Sequence, residues 1–514
     1  MARRPRIAFA LAAACAWLAL ACGPARAEWQ PPGLQPASAT LAGVLAANAK
    51  ATGSVAPGFA ERRERWTYAN GALRLPVEVA VKGDDFRADV ALGAARYAAG
   101  RAHGVRWRAD ANGVAHATLS DLQGDALDRL PQSPFGWSAA DCALAGETRG
   151  AHPAWVIADR APRDKPHWFF VDQASGLIVR ELTREGARTV VTTFDRFEPL
   201  GGALRARHWH VAGGRGNDLD VTLDAVEPAA VPQAALALPA PRRVFAPLAP
   251  SAAVLPLPAR FDGRRIVVEV DLGARRRVPF ILDTGTASIT LDSGLAARLG
   301  LHPALEHATV PRMTVGGLAG SDVSTLAIPL GGLGAEGILG YDFFFGHVVH
   351  VDYAHQRVEV LPHESADAVF RDASTTALAA NVAEGLPLAR VTLGTASSER
   401  FALDTGSDRL VVLEPFRRRH ASEVAHWTPA VAARANATGT LHFLEGSLRV
   451  AAWSAPELEF GPSRFGEPVV ALQALGNDRP DALDLPFDGI VGTDVLAFFD
   501  CWFDYDNGRI GLRR

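Results

Sequence analysis

Cysteine is scarce, with four residues in 514. If the first 27 residues are removed as a leader, only Cys142 and Cys501 remain, in different expected domains. That excludes a disulfide framework and any Cys-x-x-Cys zinc ribbon, and leaves either one bridge or two buried free thiols. Lysine is scarcer still for so long a chain: Lys50, Lys82 and Lys165 among 52 basic residues. No Gly-x-Ser-x-Gly and no His-Glu-x-x-His occurs, which argues against serine-hydrolase and zincin chemistry. Beyond Ala21 no run approaches the ~20 apolar residues of a membrane span.

The leader itself has three basic residues, Arg3, Arg4 and Arg6, an apolar stretch from Ile7 to Ala21, and Ala25-Arg26-Ala27 as a small-x-small cleavage site. Residues 1–27 are therefore expected to be a signal peptide, and the protein to be exported to a periplasmic or secreted location. The alternative is a lipoprotein anchored through Cys22. Cleavage removes four arginines and no acid, so the formal charge moves from −4 to −8. An acidic chain is a poor ligand for nucleic acid or anionic lipid.

Against these absences stands a duplication. Asp283-Thr284-Gly285 and Asp404-Thr405-Gly406 each end a short apolar run, and Gly273 and Gly394 each lie ten residues before their aspartate. Downstream, Gly337-Ile338-Leu339-Gly340-Tyr341-Asp342 is echoed by Gly489-Ile490-Val491-Gly492-Thr493-Asp494. Each block precedes a strand-turn-strand signal, ending in Arg357–Val360 and Arg509–Leu512. Matched blocks in one order indicate a duplicated lobe. Two carboxylates brought within hydrogen-bonding distance share one proton. The charged member can then activate a water while the protonated one donates to a carbonyl, which is amide hydrolysis without metal or cofactor.

Leu282-Asp283-Thr284-Gly285-Thr286 and Leu403-Asp404-Thr405-Gly406-Ser407, with Gly340 and Gly492 after apolar pairs, resemble the aspartic peptidases over about residues 259–514. The resemblance implies an all-β, bilobal, acid-protease-like double barrel with Asp283 and Asp404 as the catalytic dyad. It implies that the hydroxyls of Thr286 and Ser407 bond the outer carboxylate oxygens, and that Thr284 and Thr405 tie the loops to each other's backbone. Gly285 and Gly406 complete the turns. A flap is expected at Met313–Gly320, with Gly316 and Gly317 as substrate contacts. A second is expected at Gly439 to Gly446. The pepsin-type flap tyrosine is missing, which favours a retropepsin-like lobe. Asp408 reads as a substrate main-chain contact or as a solvated loop carboxylate. Both aspartates lie on one chain, so dimerisation is not required.

The remaining organisation follows from pattern. Residues 28–228 alternate apolar and polar in short segments broken by turns, the pattern of a separate antiparallel β domain. His167 to Val211, with its Asp172-x-x-x-Gly176 turn, resembles lipoprotein-carrier-like sheets, and a cell-envelope or lipid partner is one expectation for this domain. Eight prolines from Pro228 to Pro258 mark 229–258 as an extended linker. Lobe 1 then spans 259–362, a connector 363–377 and lobe 2 378–514. Three further signals are set aside. Gly332 to Gly337 matches a dinucleotide fingerprint but lies between β segments. His208 and His210 share a strand face without an evident third metal ligand. Asn436-Ala437-Thr438 fits a glycosylation acceptor. The expected function is an exported aspartic endopeptidase acting on peptide or protein substrates. The alternative is a catalytically silent peptide- or lipoprotein-binding cell-envelope protein.

Overall fold

The computed structural model describes residues 31–514 apart from 118–141, 160–166, 214–217, 249–253, 431–438, 474–484 and a few single or paired positions. The leader, Cys22 and Asn436 to Thr438 lie outside the described residues. The chain is all-β in character and divides into two compact units. Most described residues up to 238 form the first, and most from 239 onward form the second. Residues 108–117 belong with the second unit although they lie within the expected N-terminal domain.

The first unit is an antiparallel meander. Glu61–Asn70 pairs with Leu73–Lys82 on one side and Leu219–Pro228 on the other. From Leu219–Pro228 the ladder continues through Ala203–Ala212, Arg188–Leu200, Ile178–Glu185, His167–Asp172, Ala154–Asp159 and Cys142–Thr148. Alternation sets which face is buried: Leu75, Val77, Val79 and Val81 point inward from one strand, Trp66 and Tyr68 from its neighbour. The helix Leu41–Thr52, capped by the Thr40 hydroxyl, places Val44 among Cys142, Ile157, Phe169, Val171 and Ile178. Glu64 is buried on this face. Burial pushes its carboxyl up, but the Arg205 and Arg62 guanidiniums outweigh it and hold the group below its ordinary value.

The second unit contains the two lobes, each with the same crossing of strands at its centre. In the first, Arg275–Leu282 runs parallel to Gly337–Leu339, and Thr290–Asp292 runs antiparallel to it. In the second, Ala396–Leu403 runs parallel to Gly489–Val491, and Val411–Val412 antiparallel. Phe280 covers Gly337 and Phe401 covers Gly489. A Cβ on either glycine would meet the ring at 2.1 Å, so these glycines are fixed by packing. The lobes join through a six-stranded sheet in which Val348–Asp352 pairs antiparallel with Asp500–Asp504 at the pseudo-two-fold. One apolar core runs beneath both lobes, from Phe245, Phe280 and Phe344 to Phe401, Phe503 and Leu512.

The Pro/Ala-rich stretch read as a linker is extended, yet it is not detached. Gln233–Leu236 makes one helical turn and buries Leu236 with Val231 and Ala102. Ala246–Pro247 and Leu255–Pro256 pair with edge strands of the second unit, and Phe245 is fully buried there. Prolines tolerate sheet edges, and the apolar residues between them supply the burial. Cys142 and Cys501 are both buried and are not bridged to each other.

Candidate active site

Each Asp-Thr-Gly turn is held by its own lobe through one backbone bond. Asp283 N donates to Leu339 O at 3.0 Å, and Asp404 N to Val491 O at 3.0 Å. Gly340 and Gly492 are required by the loops' close approach: a Cβ would lie 2.3 Å from Thr286 O in one lobe and 2.5 Å from Arg409 N in the other.

The two turns are then stitched to each other. Thr284 Oγ1 donates to Leu403 O (2.7 Å) and accepts from Thr405 N (2.9 Å). Reciprocally, Thr405 Oγ1 donates to Leu282 O (2.8 Å) and accepts from Thr284 N (3.1 Å). Both threonines are buried, so four bonds are made where no water competes.

This stitching brings the carboxyls together. Asp283 and Asp404 lie within hydrogen-bonding reach of one another. A Cβ on Gly285 would lie 2.4 Å from Asp404 Cγ, and one on Gly406 would lie 2.6 Å from Asp283 Cγ. Each glycine therefore makes room for the opposite aspartate. Gly285 N donates to Asp283 Oδ1 (2.7 Å) and Gly406 N to Asp404 Oδ1 (2.8 Å). Burial first, then the charge and hydrogen bond of Asp283, push the Asp404 carboxyl well above the ordinary carboxylate range, against the N–H groups of Gly406 and Ser407. Such a pair can hold one proton and one charge side by side, the arrangement general acid/base chemistry needs.

The supporting hydroxyls are not symmetric. Thr286 Oγ1 donates to Asp283 Oδ2 at 2.7 Å. Ser407 contacts Asp404 through its backbone N–H at 3.0 Å, while its hydroxyl turns to Arg409 O at 3.3 Å. The expected bond from the Ser407 hydroxyl to Asp404 is therefore corrected: serine lacks the methyl that restricts a threonine rotamer, and a nearby carbonyl captures it. Asp408 is exposed and pairs with Arg409 at 3.4 Å, the solvated-carboxylate reading.

The first expected flap falls on a hairpin turn with close neighbours. A hairpin does form, from His307–Val315 and Leu318–Ile328, but Met313, Val315 and Leu318 are core residues. Its turn is occupied: Leu248 N donates to Gly317 O (2.8 Å), and a Cβ on Gly316 would lie 2.9 Å from the Leu257 side chain. Leu248, Leu255 and Leu257 lie against this turn, while Gly316 is exposed and Gly317 half-buried. In the second lobe, Gly439–Phe443 pairs with Gly446–Ser454 as a hairpin.

Three features escaped sequence reasoning. Asp342 and Asp494, visible as the acid closing each repeated block, accept the backbone N–H of Ile289 (3.1 Å) and Leu410 (2.8 Å) in the strands leaving the two turns. Tyr505 is buried and stacks on Tyr341. Burial first, then the neighbouring Tyr341 and both aspartates, push its hydroxyl well up. His208 and His210 bond Asp195 and Asp220 across the sheet. Among the described residues, no group of acids, histidines or cysteines is arranged to hold a metal.

No family model matches this chain, and no curated protein does. Among solved structures, it is similar to a LolA superfamily protein from Nitrosomonas europaea, with 12% identity over 39% of this chain and 98% of that one, TM-score 0.30. A similarity to basic 7S globulin from soybean, at 13% identity, covers 51% and 95%, TM-score 0.32. A retropepsin-like aspartic protease from Rickettsia conorii shares 15% identity over 27% and 89%, TM-score 0.20.

Proposed function

We propose that residues 259–514 form an exported aspartic-type endopeptidase in which Asp283 and Asp404 activate a water against a peptide carbonyl. The observation that carries this reading is the reciprocal fit of each aspartate against the other loop's glycine, which sets the two carboxyls side by side. With one proton between them, the ionised member takes a proton from water and the protonated member donates to the carbonyl oxygen. A tetrahedral intermediate forms without a covalent enzyme adduct. The test is a peptide-library digest with the full mature chain. Defined cleavage products that vanish in Asp283→Asn support the proposal, and an unaltered library refutes it.

The proposal also fixes the sign of the pH dependence. Asp404 is raised, so the shared proton is retained at low pH and lost as pH rises through the shifted value. The descending limb of kcat/KM should therefore lie above the ordinary carboxyl pKa of about 4. A rate that climbs steadily from about pH 4 to about pH 8 would contradict proton sharing.

The asymmetry at Ser407 favours a second reading, a catalytically silent peptide- or lipoprotein-binding cell-envelope protein, because Asp404 lacks the hydroxyl donor that Asp283 has. Binding of library peptides without cleavage, in wild type and Asp283→Asn alike, is its expected signature.

A further inference from the structure

A second pair of aspartates lies in the first lobe, and one of its members comes from far upstream. Asp342 is fully buried. Its Oδ2 accepts from Ile289 N, six positions after Asp283, as Asp494 accepts from Leu410 N, six positions after Asp404. In the first lobe the segment 108–117 is added to this arrangement. Asn112 Nδ2 donates to Asp342 Oδ2 (2.9 Å) and to Ser324 O (2.9 Å), and Asn112 Oδ1 accepts from Ser324 N (2.7 Å). Asp110 Oδ1 accepts from Asn112 N (2.8 Å) and Val114 N (2.9 Å), and its carboxyl lies within hydrogen-bonding reach of Asp342.

The strap is seated by more than these polar bonds. Val114 is fully buried in the core, Arg242 N donates to Gly113 O at 3.0 Å, and the His116 ring meets Tyr341 edge-on at 5.5 Å. Asp342 Oδ1 is nevertheless buried with no N–H or hydroxyl donor among the described residues. A proton on the neighbouring Asp110 carboxyl is the donor that the pair can supply for itself.

We propose that the segment 108–117 is a proton-operated latch: a proton shared by Asp110 and Asp342 keeps the strap docked and steadies the strand leaving the Asp283 turn, and its loss releases the strap. Two carboxylates side by side, Asp342 fully buried and Asp110 half-buried, cannot both ionise cheaply, and no cation among the described residues lowers either one. Burial, then the charge of Asp342, push Asp110 well above the carboxylate range, and burial raises Asp342 also. The other titratable groups around the pair are Arg108, His116, Tyr341 and Asp506. His116 is pushed down to about 4 by burial and Arg108, and Tyr341 is pushed up by burial. Both are therefore neutral across the range in which the pair loses its proton. Raised carboxyls stabilise the docked strap below their unfolded pKa, and that stability is lost as pH rises through the shifted values.

Docking does not depend on the peptidase reading; only an effect on turnover would. The test is hydrogen exchange by mass spectrometry on the full mature chain from about pH 5 to about pH 8, corrected for intrinsic rates. In the wild type, peptides containing Asn112, Val114, Ser324 and Ile289 should lose protection about tenfold or more, the equivalent of one unit of pKa shift. Asp110→Asn keeps an N–H donor toward Asp342 at every pH and should hold its protection nearly constant. Asp342→Asn is the second variant should the first fail to fold. Asp283→Asn, which removes the active-site proton, should behave as wild type. A flat wild-type profile, or the same loss in Asp110→Asn, overturns the latch. Absent cleavage with a pH-dependent strap would instead count against the peptidase and leave the latch standing.

Discussion

Asp283→Asn and Asp404→Asn should each lower kcat/KM for a cleaved peptide by about 10²–10⁴-fold or more, the range that a positioned acid/base group contributes. The two substitutions keep the shape of the carboxyl and its bonds from Gly285 N or Gly406 N, so the fold should survive. What they remove is the shared proton: an amide cannot take a proton from water, and the remaining carboxyl no longer has a charged partner beside it. The double variant should be scarcely worse than either single one, because residues acting as one unit are non-additive. If one single variant kept wild-type turnover, or if the losses multiplied, the aspartates would not form one catalytic unit.

Much of this arrangement was legible in the chain. The twin tripeptides, the glycines ten residues before them and the repeated apolar-apolar-glycine blocks required two similar lobes, and the strand crossings around Gly337–Leu339 and Gly489–Val491 are those lobes. The alternating first region likewise read as antiparallel sheet, because side-chain period two survives whatever the strand's neighbours are. What was not legible depends on long-range partners. Serine and threonine at 407 and 286 look equivalent until a carbonyl at Arg409 competes for the serine hydroxyl. The turn Gly316–Gly317 looks like a free tip until Leu248, Leu255 and Leu257 come back onto it. Asp110-Ala111-Asn112-Gly113 carries an ordinary turn signature, and nothing local announces that Asp342, more than two hundred positions later, is its destination. The packing of the linker was readable too. Phe245 and Leu257 are apolar residues spaced among prolines, and a solvated linker would have little use for them.

The largest stability effect is expected at the threonines that stitch the turns. Thr405→Val is nearly isosteric, so it opens no cavity, but it strips Thr284 N–H of its acceptor and Leu282 C=O of its donor in a site from which water is excluded. At about 1–3 kcal/mol for each buried group left unpaired, the cost should be about 2–6 kcal/mol, read as a shift in urea midpoint at constant m-value. Thr405→Ser keeps the hydroxyl and should lose far less. Thr284→Val orphans the complementary pair, Thr405 N–H and Leu403 C=O. Because both sets of bonds hold the same two loops, the double variant should cost less than the sum of the singles: once one loop has moved, the other has already lost its partner's geometry. This result is independent of what the protein does. Strict additivity, or a Val variant as stable as the Ser variant, would mean that the loops are held by the strands beneath them alone. The dyad would then not owe its alignment to the stitch.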